Sequence, residues 1–191
     1  MTISQKLFKC KIYEVCPHFE VNENNKQLLN AIFEYVNNRE GALDPKKGIL
    51  LIGDVGTGKP TLIKIIGEVL RIKGEGYKTV NCSFLASQFA SEGMDALESS
   101  TYNVVNNGSR PINRAFDELG REPIPAKHYG NEKNVMQYVF QCRYELRDRA
   151  KTFATTNLMP EVLGKLYGDY IEDRLVEMFN IVQMNGKSLR R

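Results

Sequence analysis

The sequence is poor in several features, and each shortage closes a class of function. No apolar run approaches the roughly 20 residues that span a bilayer, and the opening Met1-Thr2-Ile3-Ser4-Gln5-Lys6 has no apolar signal core. The expectation is a cytoplasmic protein without membrane contact. Charge of one sign is scarce as well. The 26 basic and 23 acidic residues leave a formal charge of +3, so the molecule is no polycation and nucleic-acid contact must come from a local patch. The four cysteines, Cys10, Cys16, Cys82 and Cys142, are scattered, which suits reduced thiols better than a disulfide framework. Cys10, Cys16 and His18 match no common zinc-finger spacing and lack a fourth ligand, and His128 has no metal-ligating company. With 191 residues, 42% of them hydrophobic, the chain can bury one full core and has no room for a second domain.

What the chain does have is concentrated in Gly53-Asp54-Val55-Gly56-Thr57-Gly58-Lys59-Pro60-Thr61. This stretch follows the apolar run Ile49-Leu50-Leu51-Ile52 and precedes a helical pattern from Leu62, giving strand, glycine-rich loop and helix. The spacing is that of a phosphate-binding P-loop, in which glycines let backbone N–H groups curl round a phosphate at a helix N-terminus. Lys59 would reach the β and γ phosphates. One position departs from the pattern. Where a P-loop carries Ser or Thr, whose hydroxyl ligates Mg²⁺, Pro60 supplies neither hydroxyl nor N–H. Thr61 comes one residue late, about 100° round a helix. Proline is sterically acceptable in a first helical turn, so the fold survives while metal-dependent chemistry suffers.

Elsewhere the pattern alternates helices and strands. Residues 1–20 show no clear period and contain Pro17, so they read as an N-terminal extension. From Asn24, the positions Leu28, Leu29, Ile32, Phe33 and Val36 form one helix face. The helix after the P-loop buries Leu62, Ile63, Ile65, Ile66, Val69 and Leu70. Residues 79–82 read as a second strand, followed by a helix around Leu85, Phe89 and Leu97 and a loop at Asn106-Asn107-Gly108. Residues 111–120 form a short strand ending in the adjacent acids Asp117 and Glu118, its apolar run interrupted by Asn113 and Arg114. In P-loop NTPases a strand-terminal Asp holds Mg²⁺ and a following Glu can polarise the attacking water. Adjacent acids are usually just solvated; their place about 60 residues after the P-loop gives the pair its meaning. A loop with Pro123, Pro125, His128 and Gly130 leads to a helix over residues 134–147. Residues 152–157 then form a strand whose polar end faces the phosphate site, as α/β sheets place ligands beyond strand C-termini. Asn157 is therefore a candidate for sensing water or the γ-phosphate. A helix over residues 160–166, a second helix with Leu175, Met178 and Phe179, and a strand at 181–184 close the chain.

The ordered series GDVGTGKPT, FDELG, HYGN, ATTNL, YGDYIEDRLVEMFN and GKSLRR resembles the ATPase core of the DnaC-type helicase loaders and the related IstB transposition helpers, both AAA+ proteins. The resemblance covers roughly residues 18–191. It implies an AAA+ type P-loop ATPase domain over 21–191: a three-layer α/β/α sandwich with a mainly parallel sheet and no C-terminal helical lid. It implies ATP and Mg²⁺ as cofactors. Residues 53–61 become the nucleotide loop, Lys59 its lysine, Asp117 the metal carboxylate, Glu118 the catalytic acid and Asn157 the first sensor. Arg174, in Asp173-Arg174-Leu175, becomes an arginine finger acting on a neighbouring subunit's nucleotide, and hence implies a nucleotide-dependent homo-oligomer. The alternative for Arg174 is a surface salt bridge to Asp173 or Glu177. Helicase loaders carry an extra domain that grips the helicase, and only about 50 residues precede this P-loop.

The leading expectation is an ATP-binding protein of helicase loading or mobile-element movement, with single-stranded DNA and a replicative helicase or transposase as partners. Arg143, Arg147, Arg149, Lys151, Lys187, Arg190 and Arg191 would form the basic patch, the alternative for them being a solvated surface. The alternative is a nucleotide-binding scaffold that has lost hydrolysis through Pro60 and recruits a protein partner. A small-molecule kinase would need a lid and a substrate-binding arginine cluster that the sequence does not display.

Overall fold

The computed structural model describes residues 2–98, 100–101, 104–105 and 110–184. The loop expected at 106–108 and the basic residues Lys187, Arg190 and Arg191 lie outside them. In chain order the elements are α1 (Gln5–Val15), α2 (Glu23–Val36), β1 (Gly48–Gly53), α3 (Lys59–Ile72), β2 (Lys78–Asn81), α4 (Cys82–Glu92) and α5 (Asp95–Glu98). There follow β3 (Val104–Val105), β4 (Arg110–Pro111), β5 (Arg114–Leu119), β6 (Ala126–His128), β7 (Asn131–Lys133) and α6 (Val135–Glu145). The last are β8 (Thr152–Thr156), α7 (Pro160–Tyr167), α8 (Asp169–Met178) and β9 (Phe179–Met184).

Five strands form one sheet in the order β2-β5-β8-β1-β9, each neighbouring pair parallel. Parallel pairing requires a crossover between strands, usually a helix, and leaves the strands buried on both faces. This is why Ile49-Leu50-Leu51-Ile52 reads as an unbroken apolar run. Alternation along β1 sends Ile49 and Leu51 into a core with α1, α2 and α3, and Leu50 and Ile52 into a second core with α4, α6, α7 and α8. On β5 and β8 the same alternation separates Ala115 and Phe153 from Phe116 and Ala154. The result is the three-layer α/β/α sandwich. Among the described residues no helix is long and apolar enough to cross a membrane.

The departures from the sequence expectations are local, and each has a physical reason. Residues 1–20, which show no clear period and read as an N-terminal extension, hold α1, capped by the Ser4 side chain accepting from the Leu7 N–H. It lies against α3, with Ile3, Phe8 and Ile12 buried. A few apolar contacts on a lysine-rich helix leave little periodicity to read. Cys82 opens α4 instead of closing β2, because the Asn81 side chain accepts the Phe84 N–H at 3.1 Å and caps the helix there. The single helix expected through Leu85, Phe89 and Leu97 is broken at Gly93, which takes φ +73°. The loop around His128 contains an antiparallel hairpin, β6 with β7, turning through Tyr129 and Gly130 at positive φ. Asn113, which read as an interruption of a strand, lies just before β5 instead: its side chain donates to the Glu75 carbonyl and accepts the Lys151 N–H.

Candidate nucleotide site

The loop between β1 and α3 joins a buried strand to a helix of the same buried core. Gly56 and Gly58 take φ +89° and +87°, left-handed values that side chains adopt only at a cost. Turns through left-handed residues are what anion nests are built from, and here the Thr57 N–H meets the Asp54 carbonyl at 3.4 Å. The first regular helical bond of α3 is Leu62 N–H to Gly58 C=O at 3.0 Å, so the helix starts without rewinding. The N–H groups of Lys59 and Thr61 precede that bond and have no intrahelical acceptor, whereas Pro60 at N2 has no N–H. Regular winding also keeps the Thr61 hydroxyl about 100° from the Pro60 position. Lys59 is only 5% exposed and its ammonium donates to the Gly53 and Asp54 carbonyls at 2.6 and 2.8 Å. The Thr57 hydroxyl donates to the Asp54 carbonyl at 2.9 Å. Burial pulls the Lys59 ammonium below the ordinary lysine range, and the negative charges of Asp117 and Asp54 pull it back. The lysine and the acids therefore share one electrostatic environment.

Asp117 and Glu118 close β5, beside β8. The pairing shifts register between Phe116 and Leu119, and Glu118 sits at φ +60°, which for a non-glycine residue costs about 1–2 kcal/mol. Thr155, on β8, is the pivot: its hydroxyl donates to Asp117 Oδ1 at 2.5 Å and accepts the Glu118 N–H at 3.0 Å. The Glu118 carboxylate accepts from Asn81 Nδ2 at 3.1 Å and from Arg121 at 2.8 Å. The arginine pair is solvent-exposed on both sides and contributes little to stability, but it fixes where the carboxylate points. Asn81, Arg121 and Thr155 were not singled out in the sequence. Thr155 lies near the end of β8, a strand buried along its whole length, where a polar side chain has to meet a partner.

Asn157 follows Thr156, which is in register with Ile52, so it stands level with Gly53 beside the P-loop, and it is exposed. Arg174 is not brought to this site. Helix α8 runs into β9, whose Phe179 is in register with Gly48 at the start of β1, the strand edge opposite the P-loop. The Arg174 guanidinium lies over the rings of Tyr144 and Tyr170, 4.5 and 4.9 Å from their centroids. The salt-bridge alternative does not form with Glu177, which instead accepts from the Tyr144 hydroxyl at 2.7 Å and faces Arg147 at 3.8 Å.

Of the four expected patch residues that are described, Arg143 is withdrawn from the surface. Arg143 is fully buried, donating to the Thr152 hydroxyl and to the carbonyls of Thr101, Ile112, Ala150 and Lys151. Burial, with Arg114 nearby, brings its pKa down to about 10. Arg147 lies over Tyr144, and Lys151 is drawn to Glu75 and the Tyr35 ring. Of the four on or after α6, Arg149 alone is exposed.

No family model and no curated protein matches the chain. Solved structures do. One is a DnaC helicase loader, with TM-score 0.65 and 18% identity over 90% of this chain and 96% of that one. Another is a putative primosome component from Streptococcus pyogenes serotype M3, with TM-score 0.64 and 18% identity over 95% of this chain and 99% of that one. The AMPPCP-bound DnaA of Aquifex aeolicus aligns at TM-score 0.54 and 20% identity, over 87% of this chain and 48% of that one. Identities this low speak to fold. With its strand order and its strand–loop–helix at β1, the chain shares its α/β/α fold with the DnaC helicase loader structure.

Proposed function

We propose that the chain binds ATP at residues 53–61 and works, as a self-associating AAA+ protein, in loading a replicative helicase onto single-stranded DNA. The observation that carries this reading is the placement of the Lys59 loop, after β1, and of Asp117 and Glu118, tied to each other by Thr155 near the end of β5, at the same C-terminal end of the parallel sheet. Lys59 exchanges two loop carbonyls for phosphate oxygens. Asp117 fits a Mg²⁺ carried in on the nucleotide, because that ion is commonly held by one or two carboxylates and the substrate phosphates. The protein hydroxyl that would complete the set is missing at Pro60. Bound there, the ion would neutralise charge developing on the phosphates. Glu118 is the base for an attacking water once Asn81 and Arg121 release it. Asn157, level with Gly53, contacts that water or the γ-phosphate. Arg174, far from its own P-loop, serves a neighbour's nucleotide.

Pro60 favours a second reading, a nucleotide-dependent scaffold with hydrolysis slow or lost that recruits a protein partner. The two are separated by following ATP turnover and the transfer of a hexameric replicative helicase onto circular single-stranded DNA. Helicase transfer that needs ATP and is lost in Lys59→Ala supports loading. Nucleotide-dependent helicase binding without turnover supports the scaffold, and no nucleotide-dependent association with helicase or DNA refutes both.

A further inference from the structure

Arg174 presents an arrangement that a surface salt bridge does not explain. To the described residues it makes no hydrogen bond or ion pair, although Asp173 and Glu177 are near in sequence; its contacts are the two aromatic faces. The rings are themselves braced across α6 and α8 in reciprocal fashion. The Tyr144 hydroxyl, from α6, donates to Glu177 on α8, and Gln141 Nε2, from α6, donates to the Tyr170 hydroxyl on α8. Glu177, drawn to Tyr144 and Arg147, is thereby kept from Arg174. Stacking uses the faces of a guanidinium and leaves its in-plane N–H fork unspent, and that fork matches phosphate oxygens.

We infer that Tyr144 and Tyr170 are positioning residues that hold the Arg174 guanidinium over their rings and keep its donors for a phosphate group supplied by a second copy of the chain. This rests on the reading of Arg174 as acting on a neighbour's nucleotide. The strand register argues against an intrasubunit target: α8 ends level with Gly48, at the end of β1 opposite the P-loop, and Arg174 lies four residues before that helix end. A guanidinium fixed in advance loses less freedom when the phosphate arrives.

Sedimentation velocity with Mg²⁺ and the non-hydrolysable analogue AMPPCP tests the inference, alongside AMPPCP titration under dilute, monomeric conditions. The variants are Arg174→Ala, Tyr144→Leu, Tyr170→Leu and the ring-keeping Tyr144→Phe and Tyr170→Phe. The unaltered chain is expected to self-associate with AMPPCP. Each Leu variant should need roughly tenfold more protein to do so, as should Arg174→Ala, while the Phe variants stay close to the unaltered chain. Unchanged AMPPCP affinity in the monomer shows that the Leu variants are folded. Arg174→Ala without effect overturns the assignment of Arg174. An effect of Arg174→Ala that neither Leu variant shares overturns the role of the tyrosines alone. Phe variants as weak as Leu place the effect in the hydroxyls and overturn the stacking. A chain that binds AMPPCP yet stays monomeric overturns the inference and leaves nucleotide binding standing; a chain that binds none overturns the proposed function beneath it.

Discussion

Replacing Pro60 divides its two deficits into separately measurable parts. Pro60→Ala restores an N–H at the second helical position without a hydroxyl; Pro60→Ser and Pro60→Thr restore both. A hydrogen bond to a charged group contributes about 1.5–3 kcal/mol, so the N–H alone should tighten nucleotide binding roughly ten- to hundredfold, with or without Mg²⁺. The hydroxyl should add roughly another tenfold, visible only with Mg²⁺. Ligand-free stability should move the other way. The N–H at that position has no intrahelical acceptor, since Leu62 to Gly58 is the first regular bond, and removing a proline frees the unfolded chain by about 0.4–1 kcal/mol. Nucleotide titration by calorimetry, paired with urea melts of the ligand-free proteins, reads both signs. The reasoning fails if Pro60→Ser binds no more tightly than the unaltered chain, or if its gain over Pro60→Ala is the same without Mg²⁺.

Three further outcomes follow from the site and its supports. Arg143→Leu removes the donor to five acceptors, three of them in buried bonds, and should lower unfolding free energy by roughly 3–5 kcal/mol in urea melts; a loss below about 1 kcal/mol would show that water replaces the guanidinium. Asn81→Asp keeps the cap on α4 but turns a donor to Glu118 into a like charge, so in a Pro60→Ser background basal ATP turnover should rise with KM unchanged; a fall would show that Asn81 orients Glu118 productively. Arg149→Glu should weaken single-strand binding at low salt and lower its salt slope by about one to two, and an unchanged slope places DNA contact elsewhere.

The P-loop was legible because its chemistry is written in contiguous residues: glycines, a lysine and a buried strand just before them. The acid pair was legible only through its distance from that loop. Its own strand looked poor because Asn113 and Arg114 are satisfied by partners far away in sequence, Glu75 and Lys151 among them. Thr155 and Asn81 escaped notice since their role depends on the register of β5 with β8 and β2, which no local pattern specifies. Arg143 misled in the opposite sense. An arginine on a helix reads as surface, and only the convergence of the Thr101, Ile112, Ala150 and Lys151 carbonyls explains why this one is buried. The tyrosine cradle of Arg174 joins two helices about 30 residues apart and had no sequence signature.

The central claim is that this chain binds adenine nucleotide at residues 53–61, and one titration tests it most directly. AMPPCP with Mg²⁺ is added to the unaltered chain and to Lys59→Ala, and binding is read calorimetrically beside the unfolding midpoint of each ligand-free protein. Lys59 is buried against loop carbonyls it would exchange for phosphate oxygens, so saturable binding to the unaltered chain and its loss by at least about a hundredfold in a folded Lys59→Ala protein are expected. Equal affinity in the two proteins, or no binding to either, contradicts the account.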